Sequence, residues 1–161
     1  MRRRLGFTLV EILVALAIVG LILGLAVVRL GDSDATTLSR ESARLALLLE
    51  NARDAAINSG RTMAWSSDGH GYQFWLLDDQ NAWQAIAADE VLRARELPEG
   101  TKLVAQTINL RERRIGERIV FEPSGVNAPF HLDLQLGSVR WQLDGDAMGR
   151  VRASMPEQGD A

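Results

Sequence analysis

One carboxylate lies inside a long apolar segment near the N-terminus. From Phe7 to Val28 the chain has 22 residues, and Glu11 is the only ionisable residue among them. At about 1.5 Å per residue this segment gives roughly 33 Å of helix, enough to cross a hydrocarbon core of about 30 Å. A charge in such a helix costs about 2.5–3.5 kcal/mol, and intramembrane charges usually serve a function. Glu11 is therefore the first candidate functional residue.

The other residue types that could do chemistry form no catalytic or metal site in the sequence. His70 and His131 are far apart and lack a third ligand, so we expect ordinary surface or edge histidines. Asp144–Gly149 has a superficial likeness to a calcium loop, but Met148 stands where such a loop needs an oxygen ligand. Ser124 lacks the G-x-S-x-G frame of a nucleophile elbow. The sequence therefore predicts no enzyme, no metal site and no cofactor.

Charge and composition indicate where the chain lies relative to a membrane. Arg2–Arg4 precede the apolar segment, so the positive-inside tendency keeps them cytoplasmic and places everything after Leu30 across the membrane. The net charge is −3, and the chain without Arg2–Arg4 is more acidic still, which argues against general nucleic-acid binding. No cysteine is present, which excludes disulfides and thiolate metal sites. A cleaved secretory signal fits less well. Its apolar region has about 7–15 residues and is followed by a small-residue cleavage site, whereas the apolar segment here has 22 residues and no such site follows it.

The N-terminal residues "RRRLGFTLVEILVALAIVG" resemble the class III signal of type IV pilins and type II secretion pseudopilins. In that family a prepilin peptidase cleaves a basic leader after its last Gly, the new N-terminal Phe is N-methylated, and a Glu follows at the fifth mature position. The resemblance implies a leader over residues 1–6 that ends at Gly6, an N-methylated Phe7, and a role for Glu11 in neutralising the terminal amine of a neighbouring subunit. Phe7 and Glu11 are also four positions apart on one helix, so the sequence leaves an intramolecular contact between them as an alternative.

Beyond this signal the sequence predicts an α+β fold, with a long N-terminal transmembrane helix packed on an antiparallel β-sheet or β-sandwich domain. The transmembrane helix covers residues 7–30, with a weak point at Gly31–Asp34, and an amphipathic continuation covers residues 31–60. Its apolar stripe predicts packing against a sheet, while its charged residues are expected mostly elsewhere; these are Arg40, Glu41, Arg44, Glu50 and Asp54. Residues 61–161 form the periplasmic β domain.

The β domain is predicted from short segments of strand-like composition. They are Thr62–Ser66, Tyr72–Leu77, Trp83–Ile86, Val91–Leu97, Thr101–Leu110, Arg118–Glu122, His131–Leu136, Val139–Leu143 and Val151–Ala153. The clearest pair is "HLDLQLGSVRWQLD", where Gly137-Ser138 suits a primed hairpin turn. That register gives one apolar face and one polar face. The apolar face pairs Leu136 with Val139, Leu134 with Trp141, and Leu132 with Leu143.

The segment from Ile119 to Arg152 resembles the C-terminal signature of the minor pseudopilin H family and its type IV pilus relatives. That pattern is a strand ending in Phe-x-Pro-x-Gly, then a hairpin, then a final strand after a Gly. The positions of the pattern are occupied by Phe121, Pro123, Gly125 and Gly149. The region from Gly60 to Arg118 resembles no family pattern.

Together the two resemblances imply a structural subunit at or near the tip of the periplasmic pseudopilus of type II secretion, which helps to export folded exoproteins across the outer membrane. They imply a single-pass inner-membrane protein with a periplasmic C-terminal domain. Its implied partners are the minor pseudopilins I, J and K, the major pseudopilin G and possible exoproteins. The alternative is a minor type IV pilin-like protein acting in pilus assembly or DNA uptake, which an exposed basic cluster near the C-terminus would favour. Arg150 and Arg152 are followed by no further base.

Overall fold

The structure, a computed structural model, describes residues 9–156, with their side chains except those of residues 22–33. The chain divides into two units, residues 1–34 and residues 35–161. One α-helix, α1, spans Leu9–Ser59 and continues through Gly31–Asp34 without a break. An interior glycine costs a helix only about 1 kcal/mol, so a cooperative helix tolerates it. The helix ends as expected before Gly60, which has a φ of 66° and donates its N–H to the Ile57 carbonyl at 3.4 Å.

Ten strands follow the helix and form two antiparallel sheets. They are β1 Met63–Ser67, β2 Gly71–Leu77, β3 Trp83–Ala85, β4 Arg95–Glu96, β5 Thr101–Ile108, β6 Arg111–Glu112, β7 Ile119–Phe121, β8 Phe130–Leu136, β9 Val139–Gly145 and β10 Val151–Ser154. The first sheet has the order β3-β2-β1-β7, and β4 also pairs with β2. The second sheet has the order β10-β9-β8-β5-β6. The predicted α+β class, a helix packed on antiparallel sheets, is confirmed.

The predicted β8–β9 hairpin is confirmed residue by residue. Leu136 pairs with Val139, Leu134 with Trp141, and Leu132 with Leu143. Gly137 has a φ of 57° at the first turn position, as a type II′ turn requires. The leucines of both strands are buried, whereas Trp141 on the same face is only half-buried beside the helix.

Two of the strand predictions differ from the structure because a turn lies inside the predicted segment, whereas the others match to within two residues at each end. Of Val91–Leu97 only Arg95 and Glu96 pair in a sheet. The Asp89 carboxylate accepts the N–H groups of Val91 at 2.7 Å and Leu92 at 2.8 Å, so a local turn replaces the strand.

The second difference lies at the end of β5. The predicted strand to Leu110 ends at Ile108, because Asn109 and Leu110 have φ values of 52° and 61° and form a tight turn. The chain then returns as β6, where Arg111 pairs with Ile108. Arg111 and Glu112 therefore extend the second sheet as a short strand that the sequence did not predict.

The core lies between the helix from Leu38 to Ala56 and the inner faces of both sheets. The helix contributes Leu38, Leu45, Ala46, Leu48, Leu49, Ala52 and Ala56, and the sheets contribute Met63, Trp65, Tyr72, Phe74, Leu103, Ile119, Phe121, Phe130, Leu132, Leu134, Leu136 and Leu143. The predicted apolar stripe of the helix is confirmed, except that Ala55 is only partly buried. Burying these side chains removes apolar surface from water, which is the main force that holds the helix against the sheets.

Among the described residues, the charged residue Glu41 is buried beside this core, whereas the sequence predicted that the charged residues of the helix lie mostly elsewhere. The Glu41 side chain is only 5% exposed and contacts the Arg44 guanidinium at 3.3 Å. The Tyr72 hydroxyl lies 3.4 Å from the Glu41 carboxylate and accepts a 3.2 Å hydrogen bond from Arg44. Desolvation raises the pKa of Glu41, although Arg44 and the Tyr72 hydroxyl partly offset it. Burial is tolerated because the carboxylate has partners on both the helix and β2.

Candidate functional site

The N-terminal part of helix α1 presents apolar side chains on all sides. Glu11 lies in its first turn and is exposed. The large apolar side chains around it are 51–77% exposed; they are Leu9, Val10, Ile12, Leu13, Val14, Leu16, Ile18, Val19 and Leu21. A helix that is apolar all round normally lies in a core or a membrane, so the composition of this segment favours burial against other apolar surface. Gly6 and Phe7, the predicted cleavage and methylation residues, lie outside the described residues.

The hydropathy of the described part of helix α1 bears on whether that part could span a membrane. Among residues 9–21 and 34–156, whose side chains the structure describes, no helical stretch is both long and apolar enough to cross a membrane. The predicted transmembrane segment, residues 7–30, extends in part outside the residues described in this way.

The four residues of the C-terminal signature lie at the end of β7 and in the loops after β7 and β9. Phe121 ends β7, pairs with Met63 and is 1% exposed. Its ring meets the Phe130 ring edge-on, with centroids 6.5 Å apart. Half-buried Pro123 begins the turn that follows β7. The signature therefore begins with an aromatic residue fixed in the core.

The two glycines of the signature lie over the last two turns of the helix. Gly125 has a φ of 79°, and a side chain built on it would approach the Ile57 side chain to 3.2 Å. Gly149 has a φ of 75°, and a Cβ there would lie 2.8 Å from Cγ of Arg53. Positive φ disfavours side chains at both positions; a Cβ would be tight against Ile57 at Gly125 and would clash with Arg53 at Gly149. The predicted glycines are thus explained by two close contacts between loops and helix.

Sequence reasoning did not identify a structural role for Asn127 or Glu50, whose hydrogen bonds stabilise the same region. Asn127 is buried, accepts the Glu122 N–H at 2.8 Å and donates from its side chain to the Gly125 carbonyl at 3.2 Å. Its own N–H donates to the Ala147 carbonyl at 2.9 Å, which joins the two signature loops. A Glu50 carboxylate oxygen accepts the N–H of Val151 at 2.9 Å, which ties β10 to the helix. The only sequence signal for Asn127 was its place two residues after a turn glycine.

His131 is more than the isolated edge histidine that the sequence predicted. Its Nδ1 lies 2.6 Å from an Asp144 oxygen, and its Nε2 lies 3.2 Å from an Asp133 oxygen. Desolvation alone would lower the pKa of His131, but the hydrogen bond and charge of Asp144, with those of Asp133, outweigh it and raise the pKa above its ordinary value. Only the doubly protonated imidazolium donates to both carboxylates. Within the described residues, no group of three acidic or histidine side chains is arranged to hold a metal.

A pH-dependent stability follows from this arrangement. Because the pKa of His131 is higher in the folded chain than in the unfolded chain, its stabilising effect is complete below about pH 6.5 and is lost as pH rises through the folded-state pKa. We expect the free energy of unfolding to fall as pH rises from about 6.5 through the folded-state pKa, and we expect His131→Gln to remove that fall. Urea unfolding of the two proteins across this range measures the difference. A parallel decline in both would contradict the assignment.

Helix and β domain together define a pilin-like subunit, and comparisons with known proteins identify its family. The family described as Type II transport protein GspH matches residues 41–149, and the prokaryotic N-terminal methylation motif matches residues 1–27. The chain therefore belongs to the GspH family of type II transport proteins and is a minor pseudopilin of type II secretion. The resemblance recognised at the two ends of the sequence is confirmed.

Individual relatives agree with this placement. Type II secretion system protein H of Aeromonas hydrophila is 26% identical over 176 residues, 97% of this chain and 96% of that protein. The corresponding protein of Pseudomonas aeruginosa is 33% identical over 105 residues, 64% of this chain and 59% of that protein. The crystal structure of the minor pseudopilin EpsH of Vibrio cholerae has a TM-score of 0.64 at 18% identity, covering 78% of this chain and 99% of that one. The solution structure of E. coli GspH has a TM-score of 0.61 at 15% identity, covering 81% and 98%.

Proposed function

We propose that this minor pseudopilin is a structural subunit at or near the tip of the periplasmic pseudopilus and helps to export folded exoproteins across the outer membrane. The observation that supports the proposal most strongly is helix α1 itself. Its first turns expose apolar side chains on every side around one carboxylate, Glu11, while its last turns are packed into the β domain. Such a helix joins a bundle at one end and carries a folded domain at the other.

The proposal includes a processing step and a location. The prepilin peptidase removes residues 1–6 after Gly6, and the new terminus Phe7 is N-methylated. Residues 7–30 then hold the subunit in the inner membrane as a single span, because they combine enough apolar length with preceding arginines. The amphipathic continuation and the β domain lie in the periplasm. The match of the methylation motif to residues 1–27 supports this order of events.

Membership of the family implies assembly with other pseudopilins, and we assign specific partners. They are the minor pseudopilins I, J and K and the major pseudopilin G, whose helices pack beside this one. Glu11 neutralises the Phe7 amine of a neighbouring subunit, because a carboxylate and an ammonium are each costly in a poorly solvated bundle and offset much of that cost when paired. The role is mechanical and not enzymatic: subunits added at the membrane extend the filament, and its tip contacts exoproteins.

Processing is tested by Gly6→Val. A bulky side chain beside the scissile bond should block the peptidase, so the leader should stay attached while the apolar segment still inserts in the membrane. Intact-mass measurement on protein extracted from membranes distinguishes the two forms. Leu5→Val is the matched control, because it changes the leader residue before Gly6 and leaves the glycine at the cleaved bond intact. A Gly6→Val protein whose chain still begins at Phe7 would contradict the proposed cleavage.

A further inference from the structure

The outer face of the first sheet contains a narrow trough. On β1 the core residues Met63 and Trp65 alternate with Ala64 and Ser66, which face the other way and are still buried, at 0% and 7% exposure. Ala64 pairs with Trp75 of β2 on one side and with Val120 of β7 on the other. Small side chains between larger ones leave a trough along β1. Because Ala64 and Ser66 are buried, other side chains must cover this trough.

Arg118, just before β7, crosses this trough. Its guanidinium carbon lies 4.3 Å from the centroid of the Trp75 ring and 5.4 Å from that of the Trp83 ring. The Trp75 ring is itself fixed, because its indole N–H donates to the Ser66 hydroxyl at 2.8 Å. Arginine over tryptophan is the most favourable cation–π pair, so the two rings hold the guanidinium in one place.

The guanidinium of Arg118 is held without an acceptor. In the described part of the chain it makes no hydrogen bond and no ion pair, although Arg113 on the same loop contacts Glu117 at 3.6 Å. Arg118 is exposed, so its N–H donors are open to solvent. An arginine that is positioned by stacking and left with its donors free is arranged to receive a carboxylate in the two-bond geometry that arginine prefers.

The surroundings of Arg118 form a groove of about 570 Å³, whose lining includes Ser67, Gln73, Arg95 and Glu96. Arg95 supplies a second guanidinium, which donates to the Glu90 carbonyl at 3.2 Å, while its Nε is buried without a partner within the described residues. The Asp68 carboxylate at the groove accepts the N–H groups of His70 at 2.9 Å and Gly71 at 2.7 Å, and these bonds hold its pKa below the ordinary value.

The formal charges of the groove lining balance, since Arg95 and Arg118 face the carboxylates of Asp68 and Glu96. Asp68 is occupied by its own turn, and Glu96 lies at a rim shared with the neighbouring groove of Pro98–Thr101. Arg95 is also engaged within the fold, through its bond to the Glu90 carbonyl, so Arg118 is the charged group of the lining that has no hydrogen-bond or ion-pair partner among the described residues. Tryptophan and arginine are also the residue types that contribute most to protein interfaces.

We propose that this groove docks an acidic segment of a neighbouring pseudopilin, with an aspartate or glutamate carboxylate bound by Arg118 over Trp75 and Trp83. The inference rests on the proposed function, which supplies pseudopilin neighbours. It adds a second contact, on the periplasmic domain, to the one that Glu11 makes in the helix bundle. Recognition depends on the arginine fork as well as on charge, so lysine is a poor substitute at this position.

Site-specific photocrosslinking in cells that contain the complete secretion system tests the proposal with the full chain. A benzophenone side chain replaces Gln73, which lies in the groove on the face away from the core. We expect a crosslink to one other pseudopilin, at a peptide that contains Asp or Glu. Arg118→Gln should lower the yield at least tenfold, and Arg118→Lys should lower it by a smaller factor. Arg114→Gln, on the same exposed loop but outside the groove, should leave the yield unchanged.

A charge exchange makes the test specific. Arg118→Glu should abolish the crosslink, and replacing the crosslinked acid of the partner by arginine should restore it. An unchanged yield in Arg118→Gln, a crosslink to a second copy of this chain or to an exported protein, or no crosslink would overturn the proposal. A second probe at Leu13 separates the two claims. Crosslinks to pseudopilins from Leu13 without any from the groove would overturn this inference alone, whereas their absence at Leu13 would overturn the proposed function.

Discussion

Phe121→Ala is expected to lower the free energy of unfolding of the β domain by about 3–5 kcal/mol, as the removal of a fully buried phenylalanine does. Phe121 is 1% exposed, and its ring contacts the Phe130 ring across the interior. The loss combines the transfer of the ring to water with a cavity that the rigid sheets cannot close. Denaturant unfolding of the chain from Ala35 onward gives the value.

The matched control for Phe121→Ala is Val126→Ala, five residues later and 61% exposed. A surface change of that kind should alter stability by no more than about 0.5 kcal/mol. Equal unfolding midpoints for the two variants would show that Phe121 is not the core anchor of the signature.

Gly149→Ala should destabilise the domain by about 2–4 kcal/mol, because a positive φ and a steric conflict act together. The φ of Gly149 is 75°, and the added methyl would lie 2.8 Å from Cγ of Arg53. Cγ is close to the helix backbone, so the Arg53 side chain cannot move away without a change of rotamer. The helix end and the loop would have to separate, which also weakens the contact between Glu50 and Val151.

Gly60→Ala separates these two contributions. Gly60 has a similar φ of 66°, but a Cβ there meets nothing within 4 Å. Its substitution should cost only the conformational part, about 1–2 kcal/mol. The difference between the two variants measures the close contact with Arg53, and a difference near zero would mean that the signature glycine is needed for its backbone angle alone.

The parts of the fold that were predictable are those that follow from a repeating pattern. Alternating leucines around Gly137-Ser138 determined the β8–β9 register, since a shift by one residue would expose all of them. The 3.6-residue period identified the helix face that packs on the sheets. The Asp89 turn depends on local side-chain hydrogen bonds and the Asn109-Leu110 turn on two positive φ values; neither feature has such a period, so both turns were missed.

The candidate site was predictable only where the chain resembles its family. Glu11 was evident from its charge in an apolar segment, and the signature residues from their motif. The buried Glu41 depends on partners 3 and 31 positions away, Arg44 and Tyr72, which no local pattern reveals. Likewise, the stacking of Arg118 on two tryptophans depends on the strand order β3-β2-β1-β7, which the sequence did not provide.

The central claim is that Glu11 serves assembly and not membrane anchoring. Glu11→Leu places a favourable side chain in the bilayer, so a purely anchoring role predicts normal or improved behaviour. If Glu11 pairs with a terminal amine, its removal leaves that charge uncompensated, at a cost of up to about 3–5 kcal/mol when the pair is fully buried. Val14→Leu, a neighbouring change that keeps the helix apolar, is the control.

The most direct measurement is crosslinking of the Glu11→Leu subunit to its pseudopilin neighbours in membranes, with exoprotein release followed in the same cells. We expect normal insertion and normal cleavage after Gly6, but strongly reduced crosslinking and release, while Val14→Leu behaves as the wild type does. Wild-type crosslinking and release in Glu11→Leu would contradict the account.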